Sequence, residues 1–415
     1  MKEITGASMI LTEACNLSCS YCYEKKRSPA VMTEETVKKA VDFVFEHAND
    51  APKLSFIWFG GEPMLNFAVL RYGYACASRR ALAEKKELDN LIITNGTVWN
   101  AEIEEFLTMN PKIRLQLSWD GLPEFQEAER GQSQVLEQTL ARMKLLPNDL
   151  HVHLQITPAM VPRLLENIDY IVGKMGDKAN VVLRPIAELE GWQDEALLEK
   201  FREQLYLAFQ KHEDKLEKIA SCEKQLASNG TCGAGKNFAT VTPAGELYAC
   251  HRFYFNKNRD FKVGSLDGGF ISSAKTDLLE EYTRDNVVGC TECDAFELCD
   301  RCIAANFGEN YDVLMPTDAN CAVYTSLFFA VFNYMKIHRP WTINYKPKDI
   351  VKIAAPPPGA TAMDFVFQYV LPLVYELQER AAWLEDQNRR LSAKVEYDEK
   401  TQRSKKRTAV YHQSL

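Results

Sequence analysis

Residues 8–22 read Ser-Met-Ile-Leu-Thr-Glu-Ala-Cys-Asn-Leu-Ser-Cys-Ser-Tyr-Cys, an apolar strand-like run, Ser8–Thr12, that passes directly into cysteines at 15, 19 and 22. Outward from this stretch, short β-rich runs alternate with amphipathic segments as far as Pro185. The expected strands are Ser8–Thr12, Leu54–Phe59, Leu91–Thr94, Ile113–Ser118, Val152–Thr157 and Val181–Pro185. The expected helices are Glu34–His47, Phe67–Lys85, Ala101–Thr108, Val135–Leu146 and Pro162–Met175. Alternation of this kind argues for parallel βαβ units. The fold class is therefore read as α/β, a partial (β/α)6 TIM-type barrel over residues 1–190, with its chemistry at the carboxyl ends of the strands.

Composition narrows the class. The 415 residues allow two or three domains with real cores. With 46% hydrophobic and 26% charged residues, and a net charge of -8, the chain reads as an ordinary globular protein with no electrostatic sign of nucleic-acid binding. No apolar run has the length of a membrane span, and Met1-Lys2-Glu3 does not open a secretory signal. The expected location is the cytoplasm, with neither nucleic acid nor membrane as partner. In that reducing setting the 12 cysteines call for metal ligation rather than structural disulfides. They fall into two regions, Cys15 to Cys22 and Cys222 to Cys321; Cys76, alone on a predicted helix, reads as an ordinary buried thiol.

Three thiolates spaced Cys15-x3-Cys19-x2-Cys22 suit three corners of a 4Fe-4S cube and leave the fourth iron open for chemistry. Zinc fits less well, because structural zinc takes four ligands and no histidine lies nearby. With Tyr21 completing Cys-x3-Cys-x-aromatic-Cys, the sequence resembles the radical S-adenosylmethionine (SAM) superfamily. The resemblance implies that the open iron chelates the amino and carboxylate groups of SAM. One-electron reduction then splits SAM into methionine and a 5′-deoxyadenosyl radical. Further segments match the family in order. Gly60-Gly61-Glu62-Pro63 resembles the motif that binds the SAM ammonium, with Glu62 as counter-charge, and Thr94-Asn95-Gly96-Thr97 ends the third strand. Ser118-Trp119-Asp120-Gly121 is similar to Ser-x-Asp-Gly, whose serine hydrogen-bonds SAM, and Arg130 stands where relatives have an arginine for the SAM carboxylate. Gln155, Thr157 and Arg184 are expected at the barrel mouth against SAM or substrate; Arg184 could equally pair with an acid in the core.

The second region runs Cys232-x12-Gly245-x4-Cys250, then Cys290-x2-Cys293-x5-Cys299-x2-Cys302, and finally Cys321. This resembles the SPASM domain, an extension of one branch of the same superfamily, except that two residues precede Cys302 where three are usual. The resemblance implies two auxiliary 4Fe-4S clusters, for three in all. One would take Cys290, Cys293, Cys299 and Cys321; the other Cys232, Cys250 and Cys302, with Cys222 as the expected fourth ligand. Taken alone, Cys290-x2-Cys293 with Cys299-x2-Cys302 also reads as a zinc knuckle. A hairpin of Ala239–Val241 and Leu247–Cys250 is expected around Pro243-Ala244-Gly245. His251 and Arg252 either tune a cluster from behind its ligands or form a solvated pair.

The chain thus divides into a barrel (1–190), a linking helix (191–221, about Glu195 to Lys218), a SPASM domain (222–325), a packing segment (326–355) and a C-terminal helical tail (356–415). That tail holds Pro356-Pro357-Pro358, heptads from Pro372, and a basic end. Its a positions, Val374, Ala381, Asn388 and Val395, and d positions, Leu377, Leu384 and Leu391, suit either a homodimer or packing on the protein's own surface. Cys232-Gly-Ala-Gly and Cys250-His251-Arg252-Phe253 are similar to maturases of ribosomally made peptides, which install thioether or carbon-linked crosslinks. A precursor peptide and a flavodoxin- or ferredoxin-type reductant are the implied partners. An anaerobic sulfatase-maturating enzyme, forming formylglycine, is the alternative, and a non-catalytic zinc or iron-sulfur scaffold a remote one. Because the first expected strand begins at Ser8, recognition of a leader is expected from the C-terminal tail, a separate protein, or a sheet edge that accepts the peptide as an added strand.

Overall fold

The computed structural model describes residues 3–24, 28–216, 233–256, 258–283, 286–291, 293, 295, 299 and 302–338. Its parallel core is β1 (Gly6–Thr12), β2 (Lys53–Gly60), β3 (Glu87–Thr94), β4 (Ile113–Ser118), β5 (Leu150–Ile156) and β6 (Val181–Pro185), neighbours in that order. Parallel neighbours need crossovers. These are α1 (Glu34–Glu46), α2 (Phe67–Glu84), α3 (Ala101–Met109), α4 (Pro123–Glu129) with α5 (Ser133–Met143), and α6 (Leu164–Met175). The expected strands and helices all appear, with ends displaced by a few residues; α4 is additional. Local chemistry explains where they start. Thr33, for example, caps α1 by accepting from Thr36 N, and Glu34 and Glu35 stand in its positive first turn.

The two faces of the sheet differ. On one, buried side chains run in register across five strands, Met9 to Trp58 to Ile92 to Leu115 to Leu150. Within that layer Trp58 Nε1 donates to Asn90 Oδ1 at 3.1 Å, so the polar atoms there are paired. The opposite face of β4, β5 and β6 carries Gln116, Ser118, His151, His153, Gln155 and Arg184, all partly buried. Parallel strands are usually apolar on both sides, so a polar second face marks a surface turned toward a cavity or a ligand.

Strand β6 does not close on β1. Instead β1 takes β7 (Phe238–Val241) as a parallel neighbour, and β8 (Glu246–Tyr248), β9 (Lys262–Ser265) and β10 (Gly269–Phe270) continue the same sheet antiparallel. The sheet therefore runs through the divisions at 190 and 222 that composition suggested. The remaining helices are α7 (Glu195–His212), α8 (His251–Phe255), α9 (Ala274–Glu281), α10 (Ile303–Asn310) and α11 (Asp318–His338). Helix α11 spans the division expected at 325 and packs along α7: Tyr334 meets the Tyr206 and Phe209 rings and its hydroxyl donates to Glu213 Oε2 at 2.7 Å. The chain separates into two compact units, Met1–Asn344 and Tyr345–Leu415. The second unit, with the proline linker and heptads, lies outside the described residues. Among the described residues no helix is long and apolar enough to cross a membrane.

Candidate functional site

The cysteine loop leaves β1 at Thr12, and backbone contact with the end of β2 holds it. Gly60 has φ 141°, and a Cβ there would fall 2.2 Å from Thr12 O; at Gly61 it would fall 2.4 Å from Ala14 O. Only glycine allows so close an approach. Gly61 N donates to Thr12 O at 2.9 Å and Glu62 N to Ala14 O at 3.0 Å. Glu62 itself is fully buried. Its Oε1 accepts from Met64 N (3.1 Å) and Thr94 Oγ1 (2.9 Å), and its Oε2 from Asn95 N (2.7 Å). Burial lifts the carboxyl to about 7, against the pull of those donors. Both oxygens are thus engaged by the protein, and Glu62 braces the end of β2 against the end of β3 instead of standing exposed as a counter-charge.

The β3 turn reaches on to the loop. Asn95 Nδ2 donates to Asn16 Oδ1 at 3.0 Å and lies 3.7 Å from Cys15 Sγ, while Asn16 Nδ2 donates to Thr97 Oγ1 at 2.7 Å. From β4, Asp120 Oδ2 accepts from the Tyr21 hydroxyl at 2.5 Å and lies 3.0 Å from Arg130 Nε, an ion pair whose N–H points off the oxygen. Asp120 Oδ1 is buried with no hydrogen-bond partner among the described residues. The Arg130 guanidinium stands 5.3 Å over the Tyr21 ring and donates from Nη1 to Cys19 Sγ at 3.8 Å. Burial raises the Cys19 thiol, Arg130 opposes it, and Cys22, Asp120 and Cys15 reinforce the burial. Glu129 of α4 grips the loop from another side: Ser20 N donates to its carbonyl at 2.9 Å, Ser20 Oγ to its Oε2, and the buried Thr157 reaches its Oε1 at 3.5 Å. Ser118 ends the polar face of β4, and Gln155 and Arg184 are register partners on the same face.

None of these cysteines is in a disulfide. Among the described residues no three His, Cys, Asp or Glu side chains close around one ion. A 4Fe-4S cube carries its thiolates on separate irons. Three thiols on one braced loop, with a buried cation on one sulfur and an amide near another, fit the cube.

Residues 9–168 match the radical SAM superfamily. That stretch is a radical SAM domain. It is 34% identical over 123 residues to the serine-type anaerobic sulfatase-maturating enzyme of Bacteroides thetaiotaomicron, covering 28% of this chain and 29% of that one. It is 25% identical over 283 residues to the antilisterial bacteriocin subtilosin biosynthesis protein AlbA of Bacillus subtilis, covering 63% and 57%. Both matches span less than two thirds of the relative's length. Native anSMEcpe with bound AdoMet and Kp18Cys peptide shares the fold, with a TM-score of 0.65 at 19% identity over 80% of this chain and 99% of that one. The open parallel sheet is the partial barrel of radical SAM proteins, whose cofactors are SAM and an iron-sulfur cluster.

In this radical SAM chain the second cysteine region adjoins the first. Cys250 and Cys302 directly precede α8 and α10; Cys321 lies in the first turn of α11, its N–H on Thr317 O at 3.0 Å. Cys293 N donates to Cys290 O at 3.0 Å and Cys299 N to Ala295 O at 2.9 Å. Cys222 and Cys232 lie outside the described residues. Cys76 is buried in α2. Tyr23, next to Cys22, meets the His251 ring at 5.8 Å, and His251 also packs on Phe59 at 4.7 Å. Burial and the Arg252 charge lower His251 to about 4, so it is neutral near pH 7. With Arg252 bonded to Cys302 Sγ at 3.5 Å, these two are not a solvated pair. Tyr254 O–H donates to Glu13 Oε1, while Glu13 Oε2 accepts from Ser28 N (3.2 Å) and Oγ (2.7 Å), so α8 is tied to both ends of the cysteine loop. Glu13, Tyr23 and Glu129 carried no signal in the sequence beyond standing near a motif or a strand end.

Proposed function

We propose that this radical SAM enzyme is a peptide maturase. With a 4Fe-4S cluster on Cys15, Cys19 and Cys22 and with SAM bound, these cofactors supply a 5′-deoxyadenosyl radical that takes a hydrogen from Cα or Cβ of a precursor-peptide residue, ahead of a thioether or carbon-linked crosslink. The observation that carries the reading is the polar face of β4–β6 beside the braced cysteine loop. Gln116 and Gln155 offer donors and acceptors to a chain of peptide groups, beside His153 and Arg184 on the same face, at the strand ends where barrel chemistry collects. The likeness to a bacteriocin biosynthesis protein supports it. Gly60, Gly61 and Ser118 border the SAM position; Tyr21, Asp120 and Arg130 hold Cys19 for it; Gln155, Thr157 and Arg184 line the mouth.

The second region is read as a SPASM domain, with Cys290, Cys293, Cys299 and Cys321 on one auxiliary cluster and Cys222, Cys232, Cys250 and Cys302 on the other. A flavodoxin- or ferredoxin-type reductant provides the electron, in the cytoplasm. A second reading, formylglycine formation, is favoured by the likeness to the sulfatase-maturating enzyme.

Anaerobically reconstituted protein should hold about twelve iron atoms per chain. With SAM, dithionite and a cysteine-containing precursor peptide, it should give a crosslinked product that has lost two hydrogen atoms and does not react with hydrazide. A hydrazide-reactive aldehyde decides for formylglycine. Zinc without iron in the second region removes the auxiliary clusters. Undiminished 5′-deoxyadenosine from the Cys15→Ala, Cys19→Ala, Cys22→Ala variant overturns the reaction class.

A further inference from the structure

Arg252 has three partners from three parts of the fold. Nη1 donates to Cys302 Sγ at 3.5 Å, at the start of α10. Nη2 lies 2.6 Å from Glu188 Oε1, in the loop that follows β6 at the barrel mouth. The guanidinium stands 5.1 Å over the ring of Tyr23, the residue after Cys22. The Arg252 side chain is 25% exposed and that of Glu188 37%, so the carboxylate is the more open end of the pair. A second acid, Glu309 of α10, stands near enough to Glu188 to be raised by it as well as by burial.

One guanidinium therefore serves a sulfur and a carboxylate together. A carboxylate on one edge of the fork offsets the positive charge that the other edge presents to the sulfur. A metal group on thiolates accepts an electron more readily when its sulfurs receive more N–H donation and face more positive charge. We propose that Glu188 and Arg252 together set the electron affinity of the metal group that Cys302 ligates, with Glu188 as the movable element. This rests on the maturase reading and its auxiliary cluster at Cys302. A peptide seated against the loop after β6 draws Glu188 toward itself, leaves the Arg252 charge to the sulfur, and makes that group a better acceptor when the peptide is in position. The electron count closes for a thioether: the substrate carbon radical bonds to a cysteine sulfur, the thiol proton leaves to water, and one electron passes to the group at Cys302. Arg252 is a positioning residue in this account, since it touches neither SAM nor peptide.

The test is a redox titration of the full-length, reconstituted enzyme followed by electron paramagnetic resonance. Signals that SAM perturbs belong to the Cys15–Cys22 cluster; the others are read. Glu188→Gln should raise one auxiliary midpoint by at least tenfold in the reduction equilibrium, about 59 mV for a one-electron couple. Arg252→Met should lower the same midpoint, and the double variant should match Arg252→Met, because Glu188 acts only through Arg252. Iron content equal to wild type in Glu188→Gln, which keeps the fork and the fold, guards against a folding artefact. An unchanged midpoint in Glu188→Gln, or shifts of the same sign in the two single variants, overturns the proposal and leaves the maturase reading standing. The absence of any auxiliary signal in wild type overturns the SPASM reading, and the proposal with it.

Discussion

Replacing Gly61 by alanine should loosen the cysteine loop without touching a cysteine. The new Cβ would stand 2.4 Å from Ala14 O, 2.7 Å from Ala14 C and 2.8 Å from Glu13 O, and all three are backbone atoms that cannot rotate away as a side-chain tip would. Gly61 is not among the residues of positive φ, so crowding is the whole of the cost. Residues 12–14 must retreat, which stretches the bonds from Gly61 N to Thr12 O and from Glu62 N to Ala14 O. Overpacking of this kind costs about 1–3 kcal/mol. Each of the two weakened backbone bonds adds about 1 kcal/mol, for a total of roughly 3–5 kcal/mol. Urea unfolding of the variant and wild type, both free of metal and under argon, measures the difference. Iron and 5′-deoxyadenosine yield after reconstitution then show whether the loop has lost its geometry. We expect the unfolding free energy to fall by that amount, and SAM cleavage to drop while iron in the second region is retained. A change below about 0.5 kcal/mol, the level of an ordinary surface substitution, together with full SAM cleavage, would refute the view that Gly60 and Gly61 are present for close approach.

Two further outcomes follow from the buried charges. Burial holds the Glu62 carboxyl at about 7 in the folded protein, against 4.5 in an unfolded chain, so its stabilising proton uptake is complete below 4.5 and is lost as pH rises through 7. Glutamine cannot titrate, so the stability gap between wild type and Glu62→Gln should narrow by roughly 3 kcal/mol from pH 4.5 to pH 8; a gap that stays constant contradicts the burial argument. Asp120→Asn strips the counter-charge from Arg130, whose side chain is 7% exposed, and should cost about 3–5 kcal/mol. Asp120→Asn with Arg130→Met removes both charges and should recover part of that loss in thermal or urea unfolding. A double variant no more stable than Asp120→Asn alone would mean that the pair is not coupled.

Features set by neighbours in the chain were legible in the sequence. The alternation Ile113, Leu115, Leu117 against Arg114, Gln116, Ser118 reports a half-buried strand because successive side chains must point to opposite faces. The cysteine spacing reports a three-thiolate site because the ligands share one short loop. Helix α4, seven residues behind Pro123, was too short to show a period. Other features depend on residues far apart, and only the tertiary structure decided them. The β7 strand has four residues and no signal naming its partner; it pairs with β1, more than two hundred positions away, because β6 leaves that edge open. Glu62 and Arg130 read in the sequence as charges for a ligand, and Asp120 as part of a cofactor-binding motif. Folding buries them, and a charge out of water needs an internal partner, so Glu62 takes up the β3 turn while Asp120 and Arg130 take each other, Tyr21 and Cys19. The link from Glu13 to Tyr254, and from Tyr23 through Arg252 to Cys302, exists for the same reason. Two cysteine regions separate in sequence become neighbours only when the second sheet segment docks on β1, and no local pattern encodes that contact.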